Sequence, residues 1–303
     1  MKLLLLLPFI LLAQIAPAQT GKHIKVPGTK CSLVPPAGFV AATTFSGFQN
    51  EETGASIMVN ELPAPYPELA DGFTAEALAS RGMMMLNKET IDFNGTKATF
   101  ISLSQPANGT TYLKQMLIFG DDKHTVMING IYPEASKNLE AGIRAALLST
   151  VYNNAQKEDP LEAAAFTVDT RDTDFKLIKY MAGSLLYSTD GKMPTDKPTL
   201  IVGNSVAKVS ATDLKKYAEE RFKKLPGGEH AVIKTTNEIT VDDLKGYEIV
   251  ADSKTKAGVP QLAYQVMLFT ESGGYYIIIG HAAEDLDKYL DSYKKIARTF
   301  RRK

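Results

Sequence analysis

Apolar and polar positions alternate over short runs along most of the chain, and twice the alternation gives way to the three-and-four spacing of a helix. Residues 32–39 and 56–60 read as strands, separated by turn formers around Pro35-Pro36 and Gly47. A helix is expected over 74–86, with Met83-Met84-Met85 as core filler at its end. Strands over 99–103 and 113–119 follow, then Gly120-Asp121-Asp122-Lys123 as a hairpin turn and a strand over 125–131. Over 136–152, Leu139, Ile143, Leu147 and Val151 recur every fourth residue, which predicts a helix with one apolar face laid on a sheet.

The same order of parts then recurs. Residues 112–151 align with 262–300, pairing Gln115 with Gln265, Phe119 with Phe269, Gly130 with Gly280 and Glu134 with Glu284 at one constant offset. Upstream, 91–104 align with 239–252, and 56–59 resemble 199–202. In the second copy Ser210 and Asp213 form an expected helix cap ahead of Leu214, Tyr217 and Phe222, and Ser272-Gly273-Gly274 closes a hairpin between strands at 263–269 and 275–279. The last helix carries Leu286, Tyr289, Leu290, Tyr293, Ile296, Ala297 and Phe300 on one face. Acidic residues stand at its start and basic ones at its end, the polarity that the helix dipole favours. The chain therefore divides into domains at 20–153 and 166–303, joined by a polar, proline-containing linker at 154–165. The class is α+β, each domain an antiparallel sheet packed with helices.

The first residues change the picture of where the protein works. Met1-Lys2 precedes an aliphatic run over 3–13 and then Ala16-Pro17-Ala18, which reads as a secretory signal peptide over 1–18. The run is well short of the ~20 residues that span a bilayer, so no transmembrane span is expected. Cys31 is too far from the apolar run to serve as a lipidated anchor. The mature chain is expected to be exported and to reside in the periplasm or outside the cell. A lone cysteine makes no internal disulfide, and Cys31, within a strand, reads as a small buried hydrophobe. Lys plus Arg and Asp plus Glu both number 34, which argues against an electrostatic grip on nucleic acid.

In Val34-Pro35-Pro36-Ala37-Gly38-Phe39, the Gly47-Phe48-Gln49 turn, the Asn94-Gly95 turn and the long hairpin followed by a terminal helix in both halves, the chain resembles the PsbP-like fold. That group also contains the Ran-binding Mog proteins and the DcrB family. The second copy lacks the Pro-Pro-Ala-Gly-Phe run, and Phe166-Thr167-Val168-Asp169 stands in its place. The resemblance implies two tandem copies acting as binding or assembly modules rather than as an enzyme.

The search for chemistry returns little. His23, His124, His230 and His281 have no second His or Cys at metal-ligand spacing, so neither a metal nor another cofactor is expected. Asp169, Asp172 and Asp174 imitate a calcium loop, but Arg171 takes a ligand position and Tyr180 stands where the closing Glu is required. The candidate binding residues are Pro65, Tyr66 and Pro67, in a stiff segment that presents one aromatic ring, and His281, at a strand end near Glu284 and Asp285. Together these point to a secreted or periplasmic, non-enzymatic binding or scaffolding protein whose partner is an envelope protein or a glycan. The alternatives are an envelope hydrolase whose residues converge only in three dimensions, and a small-ligand or metal carrier using the groove between the domains. Intact mass of the exported chain provides a direct check on compartment. A mature N-terminus at Gln19 is expected, and a chain that keeps residues 1–18 contradicts the cleavage.

Overall fold

The computed structural model describes residues 21–107, 109–156, 159–206, 208–209, 211–255 and 257–303. The expected signal peptide and Ser210 of the expected cap lie outside the described residues. The first unit opens with the short strands β1 (Ile24–Lys25) and β2 (Cys31–Leu33), then β3 (Val40–Ala41), β4 (Gly47–Asn50) and β5 (Ala55–Leu62). Helices α1 (Tyr66–Asp71) and α2 (Ala75–Ala79) lead to β6 (Met84–Phe93), β7 (Thr96–Ala107), β8 (Thr110–Gly120) and β9 (Thr125–Pro133). A 3-10 turn over Glu134–Leu139, α3 (Glu140–Leu148) and β10 (Val151–Tyr152) close it.

The second unit begins with α4 (Pro160–Ala163), which forms inside the stretch expected as linker, and β11 (Phe166–Thr167). Next come β12 (Lys176–Met181), β13 (Ser184–Ser188), β14 (Thr199–Asn204) and α5 (Leu214–Lys223). The order is completed by β15 (Val232–Val241), β16 (Leu244–Lys254), β17 (Pro260–Phe269), β18 (Tyr275–Ala282), α6 (Leu286–Arg298) and β19 (Arg301–Arg302).

Each unit is built on a 7-stranded antiparallel sheet, in the orders β3-β4-β5-β9-β8-β7-β6 and β12-β13-β14-β18-β17-β16-β15. The order is the same because the chain leaves the sheet after β5 or β14 to form helices, then returns as a four-stranded meander whose last strand pairs with the one it left. Two faces result. The helix that ends each unit covers one: Ile143, Ala146 and Leu147 of α3 pack with Phe48, Ile57, Phe100, Leu117 and Ile128, and Tyr289, Tyr293 and Ile296 of α6 pack with Leu200, Tyr264, Val266 and Ile278. The helices after β5 or β14 cover the other, through Leu78 over Ile101 and Met116, and through Ala218 and Phe222 over Ile249 and Met267. Each sheet is thus buried on both sides, and the α+β class with two similar units holds.

Gly130 and Gly280 occupy the same place in the two sheets, on the strands β9 and β18 that underlie the terminal helices. A Cβ on Gly130 would stand 2.3 Å from Ile143 Cγ2, and one on Gly280 would stand 2.6 Å from the Tyr293 ring. Neither glycine is required for backbone conformation; both are required for space. Turn chemistry also repeats, since Asn94-Gly95 and Asp242-Asp243 each place two residues at positive φ in the tight turns β6–β7 and β15–β16.

The repeat is not in the register expected from residue identity. Gln115 lies opposite Gly130 on the ladder, whereas the residue opposite Gly280 is Tyr264, so Gln115 corresponds to Tyr264 and not to Gln265. Phe119 likewise corresponds to Leu268 rather than Phe269. The hairpin turn is one residue longer in the second unit, running from Thr270 to Gly274 against Asp121 to His124. A slip of one residue turns every side chain to the other face, and Gln265 accordingly points to the α5 side, where its Nε2 donates to Ala218 O at 3.0 Å.

Other elements depart from expectation. The helix expected over 74–86 ends at Ala79, and Met84 already belongs to strand β6, 59% exposed rather than in the core. Gly82, at φ +70, breaks the helix there. The helix expected to reach 152 stops at Leu148, because Val151 and Tyr152 pair with Ser32 and Cys31 of β2. Asp213 alone among the described residues caps α5, accepting from Lys216 N at 2.9 Å. Replacing Gly280 by Ala is expected to destabilise the protein by about 1–3 kcal/mol, since the new methyl must displace the Tyr293 ring. Urea denaturation measures this, and Tyr293→Leu in the same chain should recover part of the loss.

Candidate functional site

Two concave regions distinguish themselves. The first is a groove of about 690 Å³ between the units, with Glu61, Pro63 and His124 on one side and Leu177, Lys179 and Met193 on the other. One of its polar contacts joins the units, Lys179 Nζ donating to Glu61 O at 2.8 Å; within the first unit Lys30 N donates to Glu61 Oε1 at 2.6 Å, and Gln156 Nε2, from the connecting stretch, donates to Thr29 O at 3.0 Å. Beside it, Asn204 Nδ2 donates to Thr44 O at 3.0 Å. Gly183, at φ +79, brings the β12–β13 turn so close that a Cβ there would meet Thr44 O at 2.6 Å. The edge strand of the second sheet is therefore seated on loops of the first unit, and the groove is the outer margin of that joint.

The second is a pocket of about 790 Å³ within the first unit, between the 3-10 turn ahead of α3 and the β6–β7–β8 part of the sheet. Ser102, Ser104 and Gln115 contribute polar groups from the sheet, Met83, Met84 and Leu86 form an apolar wall, and Tyr132, Glu134 and Glu140 close the opposite end. Gln115 is 3% exposed, and its Oε1 has no hydrogen-bond partner among the described residues. A buried acceptor left unpaired costs about 1–3 kcal/mol. Tyr132 is buried, and loss of solvent together with the negative charge of Glu140 pushes its phenol up to about 12, so it stays protonated. Lys114 also lines the pocket; its ammonium donates to Gln105 Oε1 at 2.6 Å, and burial lowers its pKa.

The second unit shows what the same place looks like when it is filled. Tyr264, the counterpart of Gln115, donates its hydroxyl to Glu248 Oε1 at 2.8 Å, and Arg298 pairs with the same carboxylate at 3.2 Å. The Tyr264 ring stacks on Tyr293 with centroids 5.7 Å apart. In addition α6 is helical from Leu286, whereas the corresponding stretch of the first unit is a 3-10 turn and α3 starts only at Glu140. A shorter side chain on the strand and a later helix start open in one unit a space that aromatic rings occupy in the other.

The sequence candidates are placed elsewhere. Pro65 caps α1 and Pro67 lies in its first turn, so the stiff segment is a helix start. Tyr66 does not project; it packs on the α2 face of its own sheet, with its hydroxyl 3.0 Å from Thr99 Oγ1 and its N–H on Asp121 O. His281 lies within β18, flanked by Thr199 and Ala263, and burial lowers its pKa. Neither the segment 65–67 nor His281 lines either concavity, and they belong to different units. The aspartates of the false calcium loop each have a cationic partner: Asp169 with Arg171, Asp172 with Lys295, and Asp174 with Lys288. Among the described residues no group of three or more His, Cys, Asp or Glu converges as a metal site, and no helix is long and apolar enough to cross a membrane. The signal for Gln115 is present in the sequence as the one polar residue in the inward series Leu113, Gln115, Leu117, Phe119.

No family model and no curated protein matches the chain. Solved structures similar to it include LpqN of Mycobacterium tuberculosis, described as involved in cell envelope biogenesis, at 16% identity over 45% of this chain and 82% of that one, with a TM-score of 0.35. Cyanobacterial PsbP (CyanoP) from Synechocystis matches at 11% identity over 46% of this chain and 98% of its own, with a TM-score of 0.32. The type VI secretion immunity protein TplEi of Pseudomonas aeruginosa matches at 16% identity over 92% of this chain and 97% of its own, with a TM-score of 0.36.

The depressed pKa of His281 has a consequence for stability. Above 6.5 the imidazole is neutral in folded and unfolded chains alike; below 6.5 the unfolded chain takes up the proton first, so stability falls as the pH drops. Urea midpoints measured on either side of 6.5 should therefore differ less in His281→Gln than in the parent protein.

Proposed function

We propose that this chain is an exported binding protein of the bacterial envelope, built from two PsbP-like units, that holds a ligand and does not convert it. The leader pattern at 1–18 supports export. The repeated order of elements supports the family relationship. The pocket of the first unit is the binding site, and the second unit is the filled copy that steadies it through the joint at Glu61, Lys179, Thr44 and Asn204. One observation carries the assignment: the inward place of Gln115 borders an open space of about 790 Å³, whereas its counterpart Tyr264 fills that place in the other unit with a ring stacked on Tyr293 and a hydroxyl bonded to Glu248.

The size of the pocket and its mix of apolar wall and convergent polar groups are those of a small-molecule site. Its side chains offer hydrogen-bonding and apolar contacts, as a binding protein needs. A second reading is favoured by Met84 and Leu86, exposed to 59% and 53% on the open edge strand β6, where an envelope protein could pair with the sheet.

Nile red, a neutral dye that brightens in apolar surroundings, tests the assignment on the mature chain. Saturable binding is expected, and Gln115→Tyr or Ser102→Phe, each of which fills the pocket, should weaken it about tenfold or more, equivalent to about 1.4 kcal/mol. Equal binding by the parent and both filled variants would remove the pocket as the site and leave the edge of β6 as the surface to pursue.

A further inference from the structure

We infer that the ligand of the first unit's pocket is an uncharged amphiphile, an apolar chain that carries a hydroxyl-bearing head. The inference rests on the reading of that pocket as a binding site and adds the chemistry of its occupant.

The head end is set by hydroxyl groups. Ser102 and Ser104 of β7 lie across the ladder from Gln115 and Leu113 of β8, which lie in turn across from Gly130 and Tyr132 of β9. Ser102, Ser104 and Tyr132 therefore share the α3 side of the sheet, and all three line the pocket. Their hydroxyls have no hydrogen-bond partner among the described residues and, unlike Gln115 Oε1, are not sealed from solvent. In the filled unit the ladder puts Val250, Asp252 and Ala282 at the corresponding places. The three hydroxyls thus occur only in the unit that has the open space.

A hydroxyl both donates and accepts, whereas an ammonium only donates and a carboxylate only accepts. The head that uses every open position of such a surface is itself a hydroxyl.

Charge selects the same class. The lining carries Lys114 and Lys137 against Glu134 and Glu140, so a cation drawn to the carboxylates meets the lysines and an anion meets the reverse. Lys137 and Glu134 are solvent-exposed, and Lys114 Nζ is already bonded to Gln105 Oε1 at 2.6 Å. A charged head moved in among neutral hydroxyls gives up water without a net counter-charge, a cost that an uncharged head does not meet.

The tail end is set by the apolar wall. Met83, Met84 and Leu86 lie on one side and Leu113 on the other, and the thioether chains adapt to an alkyl chain without a fixed shape. Met84 and Leu86 are also among the more exposed large apolar residues of the protein, so a chain running out over β6 covers surface that is otherwise wet. A free sugar satisfies the hydroxyls but leaves that wall uncovered.

The test compares octyl glucoside, octanoate and octylamine, which carry chains of matched length on neutral, anionic and cationic heads. Each is titrated below its micelle concentration at neutral pH into the mature chain, by calorimetry and by displacement of Nile red. Octyl glucoside is expected to bind about tenfold or more tightly than either charged compound. The double variant Ser102→Ala with Ser104→Ala, and separately Tyr132→Phe, should each reduce that preference several-fold while dye binding persists. Equal or tighter binding of octanoate or octylamine, or a preference that survives both variants, overturns the inference about the head and leaves the pocket standing. If none of the three binds or displaces the dye, the pocket assignment falls and the inference with it. Near-UV circular dichroism of the variants separates a lost head contact from a lost fold.

Discussion

The close approach of each terminal helix to the strand beneath it governs the rest of the architecture. Gly130 and Gly280 remove a Cβ where Ile143 and Tyr293 press onto the sheet, and that contact determines which face of β9 and β18 is inward. Once those strands are oriented, alternation orients their neighbours: β5 and β8 must turn Ile57 and Leu117 to the same side, and β14 and β17 must turn Leu200 and Tyr264. The helices inserted after β5 and β14 then have one surface left to cover. Two glycine positions thus tie strand order, core composition and helix placement into one consistent solution.

Within that frame the two units have moved apart at a single inward place. The second invests it with aromatic rings and a paired carboxylate, Tyr264 with Glu248 and Arg298, and extends its helix over them. The first keeps a glutamine, delays its helix behind a 3-10 turn and lines the resulting space with methionine. Both copies carry buried polar atoms without a partner among the described residues, Gln115 Oε1 in the first and Gln265 Oε1 in the second, so what separates them at this place is packed volume.

Surface charge serves the fold. The basic residues at the end of α6 and beyond it are held by partners in their own unit, Lys295 by Asp172, Arg298 by Glu248 and Arg302 by Asp242. Most of these pairs are exposed and contribute little each. The joint between units is likewise made of specific polar contacts and close backbone approach rather than of a broad apolar seam.

By itself the sequence determined what short-range physics controls. Alternation located β7, β8, β9, β17 and β18, three-and-four spacing located α6 and the body of α3, and Asn94-Gly95 marked a turn, while the start of β6 reads as the end of a helix. The repeat and the α+β class followed from these, and the equivalence of Gly130 and Gly280 was legible. The tertiary structure alone decided the register of β8 against β17, because identity paired Gln115 with Gln265 while a hairpin one residue longer shifts the true correspondence to Tyr264. It also decided that Tyr66 turns inward, since a proline-spaced segment reads equally as a stiff loop or a helix start until a partner such as Thr99 is in place. The pocket was illegible for the same reason: one inward glutamine is a local anomaly, and only the packing of distant elements shows whether the space around it is closed, as in the second unit, or left open.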